Sequence, residues 1–278
     1  MNGFSITLLM KQAFKIDQEH LHAAIAQFSG GNCELELEES ASSEPTVFLK
    51  VDGHTIFILN MDTPHPGLSE YVPDGPNLFW STVSEDLAEH SAHIILACVS
   101  RTSDYNSAIS TARAVSILAG AIARMHDCIG IYVPSAENFI NSEFYLKQIE
   151  QYIRKDAVPI NAWVRHYIFE DQDGPVVVTN GLRPFLGTEF EIFGSISSQG
   201  GFLGNLFGKK KSQIVANLSE LLPTAMTISS YALQGNVALQ RGETIGGEDG
   251  GIKFMISYAN EGKLDTGPVT HFRPMSVS

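Results

Sequence analysis

Ala92-His93-Ile94-Ile95-Leu96-Ala97-Cys98-Val99 is followed, after a short polar break, by Asp104–Met125 and then by Cys128–Val133. The first and third pieces are short, continuously apolar runs, and that character predicts strands buried inside a sheet. The piece between them predicts a long small-residue helix, because Ala108, Ala112, Ala119 and Ala123 allow it to lie close against that sheet. Strand, helix and strand in this order form a βαβ unit, which places the chain among folds that pack helices on a sheet.

The reading extends outward from that unit. Phe4–Met10 predicts a strand, and Asp17 can cap a helix to about Phe28 with Leu21, Ala24, Ile25 and Phe28 as its apolar stripe. Cys33–Glu38 alternates strictly, with Cys33, Leu35 and Leu37 on one face and Glu34, Glu36 and Glu38 on the other. Val47–Val51 and Thr55–Leu59 flank Asp52-Gly53, a two-residue hairpin signal. Met61–Asn77 is rich in proline and glycine and reads as an ordered loop, followed by a short helix within Trp80–Glu89. Pro134 and Ser135 open a helix expected to run to about Arg154.

Beyond Pro159 the expected elements are a hairpin of Ile160–Phe169 with Val176–Thr179, a strand at Glu189–Phe193, two helices (Ser212–Leu222 and Thr224–Leu233) meeting at Pro223, and a strand at Ile252–Tyr258. The class is therefore α+β. Mixed sheets carry packed helices, with ferredoxin-like split βαβ units in the N-terminal part and a smaller α+β C-terminal part. The expected domains are residues 1–157, acidic, and residues 158–278, the latter with a mobile loop at 198–211.

Charge is distributed unevenly. Residues 1–100 hold fourteen acids against Lys11, Lys15 and Lys50, a balance of −11, and the rest of the chain carries only −2. Such a field repels nucleic acid and anionic membranes and attracts cationic proteins. Of the three cysteines, Cys33, Cys98 and Cys128, the last two lie in apolar runs and suit small buried thiols in a reducing compartment, with no disulfide framework. The N-terminus lacks signal-peptide grammar, and Ala112–Met125, interrupted by Arg113 and Arg124, is short of a membrane span. A soluble, cytoplasmic protein without membrane insertion is expected.

Several constellations invite chemistry. His90 and His93 straddle a helix end and a strand start, and His54, His65 or Asp62 could add a third metal ligand; two histidines at this spacing match a zinc site weakly. The more economical reading has His90 favoured near a helix C-terminus and His93 hydrogen-bonded within the sheet. His20 and His22 point in different directions on a helix and cannot share an ion comfortably. His126-Asp127-Cys128 has the residue types of a cysteine nucleophile, but sequence neighbours rarely face each other. Gly200–Ser212 lacks the spacing of a phosphate-binding loop, since Leu203 stands where its first glycine must be and Lys210 where Ser or Thr is required. Phe202, Leu203, Leu206 and Phe207 beside the lysine triplet could form a contact tip.

The acidic set is the strongest signal. Glu34, Glu36 and Glu38 project from one strand face, Glu39 and Glu44 follow, and Lys50 alone is placed to offset them. Like charges side by side are destabilising, so a basic partner that discharges them accounts for the ladder better than solvent does.

Met61-Asp62-Thr63-Pro64-His65-Pro66, Trp80, His90-Ser91-Ala92-His93-Ile94-Ile95, Gly130-Ile131-Tyr132, Trp163-Val164 and Gly181-Leu182 with Phe185 together resemble a bacterial family of unknown function. The resemblance spans most of residues 45–195 and departs from the family pattern after Pro66. It implies a cytoplasmic protein with no established reaction. Some members are encoded near type VI secretion toxins, which implies an immunity role. The leading expectation is thus a non-enzymatic immunity protein that binds its cognate toxin, a basic nuclease-like effector, through Glu34, Glu36, Glu38, Glu39 and Glu44. No cofactor is expected, no nucleic acid is bound, and a homo-oligomer stays open. The alternatives are a metal-dependent enzyme using His90 and His93, and an assembly protein whose 198–211 loop docks on a larger machine.

Overall fold

A computed structural model describes residues 4–13, 15, 17–31, 33, 35–37, 45–72, 77–99, 104–171, 174–194, 210–235, 239–246, 253–264 and 267–275. The chain forms two units, Met1–Trp163 and Val164–Ser278.

In the first unit, β1 (Ser5–Met10) leads into α1 (Gln18–Ser29). The Asp17 carboxylate caps that helix by accepting from His20 N at 3.0 Å, and Gly30 ends it in the left-handed conformation. There follow β2 (Leu35–Leu37), β3 (Thr46–Val51), β4 (His54–Met61), α2 (Val83–Asp86), β5 (Ala92–Cys98), α3 (Tyr105–Met125), β6 (Cys128–Val133), β7 (Asn138–Asn141), α4 (Ser142–Lys155) and α5 (Ile160–Trp163). Asp52 and Gly53 both take positive φ, as a primed hairpin turn between β3 and β4 requires.

The seven strands lie in the order β2-β3-β4-β5-β1-β6-β7, every neighbouring pair antiparallel. β5 and β6 flank β1 and are joined by α3, so this is a split βαβ unit. α1 and α4 pack on either part of α3, which lies over β1 and β5. Alternate residues Ile6 and Leu8, Ile94 and Leu96, Ile56 and Ile58, and Leu49 and Val51 are fully buried. Gly120 is required on α3 because a Cβ there would meet the Phe28 ring of α1 at 2.4 Å. By length and hydropathy α3 could cross a membrane, but 72% of its apolar window is buried in this core.

Two expected elements differ. Pro134–Ala136 is a single 3-10 turn ended by Glu137 at φ 49, after which β7 pairs with β6 and the Asn141 side chain caps α4. A left-handed residue cannot continue a helix, so the expected helix over 134–154 starts at Ser142 instead. Ile160–Trp163 is helical rather than extended. Trp163 donates through Nε1 to Ser116 Oγ at 2.9 Å and meets Phe4 and Tyr152 edge-on, which ties residues 158–163 to the first unit and moves the boundary from 157/158 to 163/164.

The other face of the sheet is partly roofed by residues 62–72 and 77–91. Leu68, Trp80, Val83 and Leu87 cluster with Leu9, Tyr132 and Phe139. Asn77 organises the roof: its Oδ1 accepts from Phe79 N and Trp80 N, and its Nδ2 donates to Phe139 O at 3.0 Å. The Trp80 ring lies directly over Gly130, where a Cβ would stand 2.0 Å from it.

The second unit contains β8 (Arg165–Asp171), β9 (Gly174–Asn180), α6 (Arg183–Leu186), β10 (Glu189–Phe193), α7 (Lys210–Gly235), β11 (Thr244–Gly246), β12 (Lys253–Ala259) and β13 (Val269–Pro274). Its sheet runs β11-β12-β13-β10-β9-β8, and only the β10–β13 pair is parallel. α7 is one helix through Pro223 where two were expected. An interior proline costs about 3 kcal/mol; burial of Leu221, Ala225, Ile228 and Ala232 on one stripe offsets it. Lys210 and Lys211 begin this helix rather than end the expected 198–211 loop, whose remaining residues lie outside the described ones. Val176, Val178 and Phe193 form a cluster with Tyr167, Phe169 and Leu264 on the sheet face away from α7.

Gly130→Ala is expected to lift Trp80 from the sheet and to destabilise the protein by about 1–3 kcal/mol, read as a lower urea midpoint with quenched or red-shifted tryptophan emission.

Candidate functional site

The charge asymmetry follows the division into units. Met1–Trp163 contains twenty acids and nine bases, a balance of −11, and Val164–Ser278 contains eleven and nine, a balance of −2. Of the five glutamates expected to bind a partner, Glu36 lies among the described residues, whereas Glu34, Glu38, Glu39 and Glu44 lie outside them. Glu36 is exposed on β2 and stands opposite Lys50 of β3, whose Nζ is 2.8 Å from Glu36 Oε2. At this position the expected uncompensated ladder is compensated, because antiparallel register brings the one available lysine directly across.

Uncompensated acid appears instead in the roof. Residues 51–100 contain seven acids and no lysine or arginine. Asp62, Glu70 and Glu85 are exposed there and have no ion-pair partner among the described residues. Tyr71 and Leu78, each 50% exposed, belong to the same layer. Asp86 is tied locally, accepting from Thr82 Oγ1 and Trp80 Nε1, and those two bonds hold its carboxyl below the usual range. The sequence signal for this surface was the long stretch without a base.

The histidines of the roof do come together. His65 and His93 meet edge-on with centroids 5.0 Å apart, and His90 Nε2 accepts from His65 N at 3.1 Å. Each ring donates through Nδ1 to a backbone carbonyl: His65 to Pro66 O, His93 to Thr63 O and His90 to Leu87 O. Both nitrogens of His90 are thereby occupied. Burial holds the His93 imidazole below its usual pKa, against the raising effect of the Thr63 carbonyl. His54 sits at the other end of β4, between Ser110 Oγ and Thr111 Oγ1 of α3. Among the described residues no group of three or more His, Cys, Asp or Glu side chains has the arrangement a metal ion needs. The three rings staple the loop to the β5 end of the sheet.

Cys128 is not poised for catalysis. Its thiol donates to Gly130 O, and burial pushes it up to about 12. Phe202, Leu203, Leu206 and Phe207 lie outside the described residues.

The second unit buries several ionisable groups. Glu189, 2% exposed, accepts from Gly181 N, Leu182 N, Arg183 N and Thr179 Oγ1, so its carboxylate caps the chain entering α6. Burial pushes this carboxyl up, and the four donors oppose that shift. Glu191 pairs with His271 across the parallel strands. His166 on β8 is buried, and neither ring nitrogen has a hydrogen-bond partner among the described residues. Burial pushes it down to about 4.

Comparison with known protein families, with curated proteins and with solved structures finds no match to this chain.

Glu189→Ala is expected to destabilise the second unit by about 3 kcal/mol, since it strands buried donors; urea unfolding measures the loss. His166 gives a signed pH dependence. Its folded pKa lies below the ordinary 6.5, so stability is fully present above pH 6.5 and declines as the pH falls toward about 4, where the unfolded state alone takes up the proton. The decline is about 3 kcal/mol at about 1.4 kcal/mol per unit. Denaturation of wild type and His166→Phe across that range should show a shallower pH slope in the variant.

Proposed function

We propose that this chain is a cytoplasmic immunity protein that binds and neutralises a secreted toxin, a basic nuclease-like effector, by occlusion through the acidic surface of its first unit. The observation that carries this reading is the roof formed by residues 62–72 and 77–91: Asp62, Glu70 and Glu85 are exposed with no ion-pair partner among the described residues, and Tyr71 and Leu78 are exposed in the same layer. Acid around aromatic and aliphatic anchors is the composition of an interface in which charge steers a cationic partner and apolar contacts hold it. The −11 balance of the first unit extends that field beyond the roof. The glutamates at 34, 36, 38, 39 and 44 add to it, with Glu36 exchanging Lys50 for a partner's cation on binding. The family resemblance, in which some members are encoded near type VI secretion toxins, is in keeping with the same class of partner. Occlusion requires no catalysis by this unit.

The reading is tested with the product of the reading frame adjacent to the gene. Co-expression should protect cells from that product, and calorimetry should show binding that weakens as salt rises. Asp62/Glu70/Glu85→Lys is expected to reduce affinity by about tenfold or more, mainly through a slower on-rate. Glu34/Glu36/Glu38→Lys separates the contribution of β2 and its flanks. Wild-type affinity and salt dependence in both charge reversals would remove the acidic surface from the mechanism.

A further inference from the structure

Three residues far apart in sequence fall on one row across the second sheet. Ser257 of β12 stands opposite His271 of β13, and His271 stands opposite Glu191 of β10. Residues opposed in this way share a face, with Cβ atoms of antiparallel partners about 4.5–5.5 Å apart. The row is graded from the interior to the surface. The Glu191 side chain is 3% exposed and that of His271 18%, while Ser257 is half-buried.

Glu191 Oε2 lies 3.2 Å from His271 Nε2, and its Oε1 accepts from Lys263 N. Gly262 packs so closely that a Cβ there would stand 2.8 Å from Glu191 Oε1. Burial pushes the Glu191 carboxyl up, but His271 and the Lys263 N–H more than offset this and keep it ionised. The carboxylate thus fixes the imidazole through Nε2. Nδ1 remains as the second nitrogen of the ring, and β13 lies between β10 and β12, so Ser257 neighbours His271 from the strand on the side opposite Glu191. Neither His271 Nδ1 nor Ser257 Oγ has a hydrogen-bond partner among the described residues, and neither is a buried orphan. They do not bond to each other in this structure, and such bonds often tighten only with substrate bound.

We propose that Ser257, His271 and Glu191 act as nucleophile, general base and positioning carboxylate in acyl transfer from a short-chain carboxylic ester. Ser257 Oγ attacks the ester carbonyl carbon while its proton passes to His271 Nδ1. The tetrahedral intermediate expels the alkoxide, which leaves as the alcohol by taking that proton back. Water then attacks the acyl-serine through the same base, releasing the carboxylic acid and restoring Ser257. Arg273, two residues beyond His271 on the same face, is exposed with its guanidinium 4.0 Å over the Phe193 ring. Met255, opposite Arg273 and 46% exposed, offers an apolar contact for the acyl chain. This activity goes beyond toxin binding, which asks nothing of the second unit.

The test uses the full chain and a fluorophosphonate, which labels activated serines. The adduct is expected in the tryptic peptide Phe254–Lys263, where Ser257 is the only serine. The protein should also release p-nitrophenol from p-nitrophenyl acetate. Ser257→Ala is expected to abolish the adduct and slow hydrolysis by about 100-fold or more, and His271→Ala to do the same with partial rescue by added imidazole. Glu191→Gln should lower kcat with KM unchanged, and a melting curve for each variant verifies folding. Folded wild-type protein without an adduct on that peptide, or Ser257→Ala hydrolysing at the wild-type rate, overturns the assignment.

Discussion

The first unit depends on the burial of α3 against the centre of its sheet. That helix presents alanine and glycine to its neighbours, so α1 reaches Gly120 with the Phe28 ring and the strands approach closely. At its middle, Ser116 collects two buried donors: Trp163 Nε1 on its hydroxyl and Tyr145 OH on its carbonyl. One residue thereby joins α3 to α4 and α5. Removing that junction would leave polar groups unpaired in an apolar interior, which is why the short stretch after Lys155 is held to this unit.

The two units treat charge in opposite ways. The first keeps carboxylates at the surface, several in exposed pairs such as Lys11–Glu89, Arg124–Glu150 and Lys147–Glu143 that contribute little stability. What they provide is a field, and a field acts on partners. The second unit draws Glu189, Glu191 and His166 inside. Buried charge is tolerated only where donors are supplied, and the backbone at Gly181–Arg183 supplies them for Glu189. Charge that acts at long range and charge held by short-range contacts are therefore separated along the chain.

Features set by neighbouring residues were legible before the fold was known. The Asp17 cap and the Asp52-Gly53 turn are local, and the structure contains both. That Lys50 offsets the acidic strand was legible; that it faces Glu36 is set by the β2–β3 register. Misreadings arose where a distant contact overruled a local preference. Glu137 takes a left-handed conformation so that β7 can join β6, and Pro223 stays inside α7 because the helix is buried along one stripe. In Glu189-Phe190-Glu191-Ile192-Phe193 successive side chains alternate between two faces, and both faces are buried. Periodicity tells which side chains share a face; it does not tell what lies against that face.

The sequence by itself determined the α+β class, the central strand–helix–strand unit and the concentration of acid in the first part of the chain, because each depends on composition or on residues a few positions apart. Tertiary structure decided the strand orders, the roof formed by residues 62–72 and 77–91, the meeting of His65, His90 and His93, and the row from Ser257 through His271 to Glu191. Those depend on pairings between segments separated by tens of residues. Their register is chosen by burial of whole faces at once, a property no local window contains.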